Sequence, residues 1–288
     1  TNLIGFTIKN GYNTQGAGID AWGGGIVLSD LIVIDNLAVG DLDGGGASIN
    51  GDIQILNSKF INNEGRKGGA LLLGSGIPLI ENCEFFNNNC TESGAVLQIM
   101  NCTPTIKNTL IANNGNINVG GPSYAGSLIY TQGSTTNAVF INSTISNNFT
   151  STYIVYSHSG SISFTNSILY NDGFNEAGNF FGSFPSSISF SNSNVQGVSI
   201  SSGNIDIDPN FVDTANGDYS LSNFSHCIGT GTITGAPTTD ILGNPRPNPS
   251  GSNPDIGAYE HVLGTYDILG CMDTLATNFD PTANINDS

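Results

Sequence analysis

Apolar and polar positions in the first two thirds of the chain follow one short phrase used repeatedly. An apolar residue, a spacer, Asn, then Ser, Cys or Thr, another spacer and a second apolar residue recur in that order. Ile55-Leu56-Asn57-Ser58-Lys59-Phe60 is one copy, and Ile80-Glu81-Asn82-Cys83-Glu84-Phe85 is the next. Ile106-Lys107-Asn108, Phe140-Ile141-Asn142, Phe164-Thr165-Asn166 and Phe190-Ser191-Asn192 continue the series, with weaker copies at Ile8-Lys9-Asn10 and Ile34-Asp35-Asn36. The asparagines are separated by steps of 26, 21, 25, 26, 34, 24 and 26 residues. A repeat of that length predicts a solenoid, each repeat forming one coil that is buried only by its neighbours.

The phrase also predicts how a coil is built. Alternation before the Asn, as in Ile53 with Ile55 and Ala138 with Phe140, predicts strands with one face inward. The first apolar position (Ile8, Ile34, Ile55, Ile80, Ile106, Phe140, Phe164, Phe190) and the second (Val39, Phe60, Phe85, Ile111, Ile145, Leu169, Val195) are each expected to stack like on like. Between them the phase reverses, which predicts a tight corner, and Asn tolerates the left-handed backbone such a corner needs. Asn57, Asn82, Asn108, Asn142, Asn166 and Asn192 are therefore expected to form a side-chain ladder, amide bonding to amide from coil to coil. Glycine runs at Gly23–Gly25, Gly44–Gly46, Gly68-Gly69 and Gly120-Gly121 recur at a similar phase, as linkers would not. The longest step predicts an extruded loop over Asn114–Ser127.

Charge narrows the function. Of 288 residues only 10% are charged, with 23 acids against 6 Lys plus Arg for a net charge of −17. Nucleic-acid binding needs clustered cations, so that class is excluded, as are anionic membrane surfaces and, more mildly, polyanionic sugars. No apolar stretch reaches the ~20 residues of a membrane span, so membrane insertion is not expected. The chain starts at Thr1 with strand-like sequence already under way, which reads as a piece of something longer.

Candidate chemistry is sparse. Cys83, Cys90 and Cys102 lie within about one coil and could supply one disulfide, or simply pack as small buried thiols, the reading preferred for Cys227. Arg66 and Lys67, with Asp41 and Asp43 one coil earlier, form the one mixed charge cluster, and solvated loop charges are the plainer reading of it. Arg246 is expected to tie its own segment together by hydrogen bonds to carboxylates or carbonyls. Asp206 and Asp208 have the spacing of paired carboxylates, whereas His158, His226 and His261 lack partners at metal-ligand spacing. No catalytic residues are assigned. Tyr124, Tyr130, Tyr153 and Tyr156 could stack on sugar rings or form the core and rim of their region. Asp273, Asp280, Asn284 and Asp287 offer hard oxygens in an apolar-poor tail, which makes Ca²⁺ the one cofactor expected.

The recurring phrase, with its Asn pairs and Gly-rich runs, resembles the right-handed parallel β-helix of the pectate-lyase-like superfamily, in the style of large secreted bacterial proteins more than of the lyases. Four later blocks strengthen it: Ile207–Asp213, Gly217–Leu221, Asp240–Pro247 and Asp255–Glu260. In that order they are similar to the closing signature of choice-of-anchor surface proteins. Gly270–Asn284 resembles the Asp-rich, thrombospondin type 3-like repeats of Bacteroidetes surface proteins, in which a second Cys would partner Cys271. The resemblance implies an all-β fold: a single-stranded right-handed parallel β-helix over 1–200, a loop-rich closing segment over 201–262 and an Asp-rich tail over 263–288. It implies export, commonly by type IX secretion, to the outer cell surface or beyond. The function expected is structural or adhesive, not enzymatic, within a larger parent chain. Expected partners are other domains of that parent, a self-associated surface assembly or a glycan; a polysaccharide-binding or -degrading β-helix is the alternative.

Overall fold

Each coil turns where Asn takes up the left-handed conformation. Asn57, Asn82, Asn108, Asn142, Asn166 and Asn192 all have φ of 45–55°, a region in which Asn is among the few side chains tolerated. The computed structural model describes residues 2–40, 44–115, 126–171, 175–179, 186–198 and 201–287. Asp41, Asp43, Tyr124 and most of the expected loop lie outside the described residues.

Successive coils build four parallel sheets. Sheet I has eight strands from Asn2–Ile4 to Ser186–Ser191, and sheet II has eight from Thr7–Lys9 to Asn194–Val195. Sheet III has four, Tyr12–Asn13 to Asn89–Ser93, and sheet IV has seven, Ile19–Trp22 to Asn175–Asn179. Like stacks on like at the parallel strand spacing of ~4.8 Å. Ile55, Ile80, Ile106, Phe140, Phe164 and Phe190 form one inward row. Phe60, Phe85, Ile111, Ile145, Leu169 and Val195 form the second. The Phe140 and Phe164 rings stack with centroids 4.7 Å apart, and Phe60 and Phe85 at 5.1 Å. Fully burying one such side chain contributes roughly 1.5–3 kcal/mol, so the rows alone make a continuous core.

The first two copies of the phrase sit one corner further on than the sequence suggests. Ile8 pairs with Val33 and Val33 with Phe60, so Ile8 belongs to the second row, and Val39 is 49% exposed. Leu28 pairs with Ile55 instead of Ile34. The sheet I–II corner in the first two coils is held by Gly5 and Asp30, with φ of 77° and 55°. The short step of 21 residues between Asn36 and Asn57 is thus a change of corner and not a short coil.

The three clustered cysteines do not pair. All five are thiols, and Cys83, Cys90 and Cys102 are buried on three different sides of one coil: the sheet I–II corner, a strand of sheet III and the corner entering sheet I. Cys83 occupies the place of Ser58 and donates to Ile55 O and Glu81 O at 3.5 and 3.4 Å. Burial pushes the Cys83 and Cys102 thiols up to about 12. Because the thiolate is the reactive form, both are expected to resist iodoacetamide near neutral pH in the folded chain and to label after denaturation. Mass spectrometry of labelled peptides checks this, and rapid labelling of folded Cys83 would contradict the packing.

The closing segment does more than end the last coil. It runs back along the outer face of sheet II. Tyr219, with no exposed surface, packs on Leu110 and Ala112, flanked by Phe86, Phe211, Ile241 and Tyr259. Leu221, Cys227, Ile228 and Ile256 pack on Ile168. Sheet II is consequently buried on both faces in its later strands.

Candidate functional site

Two asparagine systems line sheet II. At the sheet I–II corner Asn82 Nδ2 donates to Asn57 Oδ1 and Asn108 Nδ2 to Asn82 Oδ1, each at 3.2 Å. Asn166 Nδ2 donates to Asn142 Oδ1 at 3.2 Å, completing a second short run. Between the runs the amides turn to the closing segment. Asn108 Nδ2 donates to Thr239 O at 2.8 Å, and Asn142 Nδ2 to Asp255 O at 3.0 Å. Asn166 exchanges bonds with Thr232, donating to its carbonyl at 2.7 Å and accepting its N–H at 2.8 Å. Asn57 is exposed, whereas Asn108, Asn142 and Asn166 are buried beneath this segment. Asn192 keeps the left-handed corner and lies against Gly203.

The continuous ladder lies one corner on, at positions the phrase did not single out. Asn36, Asn63, Asn88, Asn114, Asn148 and Asn171 are buried, and each Nδ2 donates to the next Oδ1 at 2.9–3.1 Å. The same Oδ1 atoms accept the backbone N–H of the preceding rung, as in Asn63 N to Asn88 Oδ1 at 3.0 Å. The available signal was the doublet itself, since the buried rung is the second residue of Asn62-Asn63, Asn87-Asn88, Asn113-Asn114 and Asn147-Asn148.

Charge gathers at the rim between sheets III and IV. Arg66 and Lys67 end the strand Glu64–Lys67, and Glu92 lies in its parallel neighbour Asn89–Ser93. Glu92 Oε2 receives Arg66 Nη1, and its Oε1 lies 3.2 Å from Lys67 Nζ. Glu92 was readable as an opposite charge one period after Arg66. Beside this pair the outward row of sheet IV carries Gln98, Tyr130 and Tyr156 in register. The tyrosine rings stack at 5.9 Å, and Tyr153 tilts against Tyr156 at 5.6 Å. Tyr130 and Tyr156 are almost fully buried, so they form rim packing more than an open sugar platform. A hollow of about 160 Å³ is lined by Lys67, Glu92, Ser93, Gln98, Tyr130 and His158, and His158 also borders a second of about 220 Å³. Amides, a hydroxyl and an ion-paired cluster suit this rim to hydrogen-bonding a polar ligand.

Arg246 sits in a buried network. Its Nε donates to Glu260 Oε2 at 2.7 Å, Nη1 to Asn108 Oδ1 at 2.7 Å and Nη2 to Gly257 O at 3.1 Å. Asp255 lies alongside, accepting Gly229 N–H at 2.7 Å and His261 N–H at 2.6 Å. Burial and the neighbouring Glu260 push its carboxyl from 3.8 up to about 8, against those two donors and Arg246. The fold then keeps a proton that the unfolded chain has lost. Stability from this group therefore falls as pH rises through the interval from 3.8 to about 8 and levels off above it. Asp255→Asn is expected to flatten that part of the Tm–pH profile; an unchanged slope would assign it to other groups.

The paired carboxylates Asp206 and Asp208 and the acids of the tail bond within their own segments. Asp206 Oδ2 accepts Gly197 N–H and Asp208 Oδ1 accepts Asn210 N–H, at 3.0 and 2.8 Å. In the tail Asp273 Oδ1 accepts Leu275 N–H, and Asp280 Oδ1 accepts both the N–H and the hydroxyl of Thr282. Asn284 Oδ1 accepts Ile268 N–H at 2.6 Å, and Asp287 donates its N–H to Gly270 O. Asp273, Asp280 and Asn284 thus each spend one side-chain oxygen within the tail. Among the described residues, no three His, Cys, Asp or Glu side chains form a group that could hold a metal ion.

Coils, corners and asparagine ladder define a parallel β-solenoid. The family model described as "Right handed beta helix region" matches residues 1–172. The chain belongs to that right-handed β-helix family. Among solved structures, pectate lyase Pel9A is similar with a TM-score of 0.48 at 14% identity, over 90% of this chain and 73% of that one. No curated protein sequence matches.

Proposed function

We propose that the chain is an extracellular structural and adhesive module, a stiff β-helical piece of a larger surface or secreted protein. The observation behind this reading is the locked scaffold. A continuous amide ladder fixes one corner, and the closing segment seals the outer face of sheet II by hydrogen bonds to Asn108, Asn142 and Asn166. Such a scaffold holds surface residues at fixed spacing, which lowers the ordering cost of binding. The ion-paired rim around Arg66, Lys67 and Glu92 is suited to holding a ligand. Hydrolysis of a glycosidic bond would instead need two carboxyl groups facing one bond.

The test is attachment of beads coated with the chain to polysaccharide films and to cells, with product analysis on the same polysaccharides. Retention above bare beads without new reducing or unsaturated ends is the expected result. Released oligosaccharides would replace this reading with a polysaccharide-degrading one, and no retention on any surface would remove the adhesive role.

A further inference from the structure

The first residue of each asparagine doublet forms a column of its own. Asn62, Asn87, Asn113 and Asn147 all have φ of 54–57°. Each is exposed, while the residue after it is a buried rung. The sheet II–III corner thus offers one outward amide per coil, at a spacing of ~4.8 Å. Asn62 is held by Asp35 Oδ1 at 2.5 Å, and Asn113 Oδ1 accepts the Tyr219 hydroxyl at 3.4 Å. The Asn87 amide between them has no side-chain partner among the described residues.

This column borders a hollow of about 300 Å³, lined also by Glu64, Asn89 and Phe149. Phe149 is 43% exposed, yet it is not loose. Its ring lies where a Cβ on Gly115 would stand, so Gly115 is its seat. Its N–H donates to Asn114 O at 3.0 Å, and its backbone bridges Gly115. A fixed, part-exposed ring at the end of a row of amides sets an apolar face beside hydrogen-bonding groups.

We infer that this corner binds a neutral, extended glycan lying parallel to the solenoid axis, one sugar ring on Phe149 and its neighbours along Asn62, Asn87 and Asn113. The inference rests on the attachment reading above and gives it a ligand class. An amide carries donor and acceptor side by side and matches adjacent sugar hydroxyls, and the apolar face of a pyranose matches an aromatic ring. An extended β-linked chain advances per ring by a distance close to one coil. Among the described residues Glu64 is the sole ionisable side chain lining the hollow, so together with the net charge of −17 it turns away polyuronates and sulfated chains.

The experiment is calorimetric titration of the full chain with cellohexaose, mannohexaose and xylohexaose, and with hexagalacturonate as the anionic control. One or more neutral hexamers should bind, about tenfold or more weakly after Phe149→Ala or Asn87→Gly, while Phe149→Trp retains binding and hexagalacturonate gives no heat. Asn87→Gly keeps the left-handed corner, so its effect reads the amide and not the fold. Absence of binding by every neutral hexamer, preference for hexagalacturonate, or binding indifferent to both substitutions would each overturn the inference. Beads that attach while no hexamer binds would sink this site and leave the attachment reading standing. Hexamers that bind while beads fail to attach would do the reverse.

Discussion

Asn88→Ala is expected to cost on the order of 3–5 kcal/mol of folding free energy, out of proportion to the few atoms removed. Asn88 Oδ1 accepts both the backbone and the side-chain N–H of Asn63, each at 3.0 Å. Its Nδ2 donates to Phe60 O and to Asn114 Oδ1, both at 2.9 Å. Alanine leaves two buried donors on Asn63 without an acceptor, and each orphan costs about 1–3 kcal/mol because no water replaces the lost partner. The cavity adds to this. Asn87→Gly, one residue away and exposed, should change stability by less than about 1 kcal/mol, since glycine takes the left-handed corner freely. Denaturant unfolding of the two variants provides the comparison. Equal losses would mean the buried ladder contributes no more than the corner beside it.

That contrast also explains what the sequence could and could not disclose. The rows through Phe60 and Phe140 were legible because a parallel coil stacks like residues, so the same apolar type recurs at a fixed step. The corners were less so. Any residue that tolerates a left-handed backbone can hold one, and Gly5 and Asp30 do so where Asn was sought. Both corners of sheet II use Asn, at one to stabilise a turn and at the other also as a buried rung. Reading Asn10 and Asn36 with Asn57 therefore mixed the two. Proximity in sequence could not decide between a disulfide and packed thiols for Cys83, Cys90 and Cys102, because one coil carries its residues around different sides of the solenoid. For Arg66 and Lys67, Glu92 one coil forward is a counter-charge the pattern left unmarked, while Asp41 and Asp43 one coil back lie outside the described residues.

The path of the closing segment had a signal that was available but faint. Leu110-Ile111-Ala112 and Ile168-Leu169-Tyr170 are apolar on both faces, unlike Lys59-Phe60-Ile61 two coils before the first of them. A strand apolar throughout is buried on both sides, which implies a cover over the later coils of sheet II. What forms that cover could not be inferred from periodicity, since the closing segment has no period. It follows from side chains distant in sequence, such as Arg246 reaching Asn108.

Arg246→Met should release that cover. The Arg246 and Glu260 side chains are both fully buried, and Arg246 is the cation bonded to Glu260 in the network. Removing it leaves the Glu260 charge unpaired beside Asp255, and Asn108 Oδ1 and Gly257 O each lose a donor. Breaking a buried pair in this way costs about 3–5 kcal/mol, chiefly through the uncompensated charge. Because the coils have their own core, the loss should fall on the segment over 201–262. Hydrogen exchange there is expected to quicken, together with the strands Leu110–Ala112 and Ile168–Tyr170 that it covers, while Lys59–Ile61 keeps its protection. Combining Arg246→Met with Glu260→Gln should recover part of the loss. Gln removes the stranded charge and keeps an oxygen for one of the two N–H groups that Glu260 accepts, Asn248 N–H on Oε1 at 2.9 Å and Asp255 N–H on Oε2 at 3.1 Å, so the recovery is partial. Recovery in the double variant would locate the cost in the orphaned carboxylate. If the double variant instead loses as much as the single one, the guanidinium acts mainly through Asn108 and Gly257, as a clamp between coil and cover.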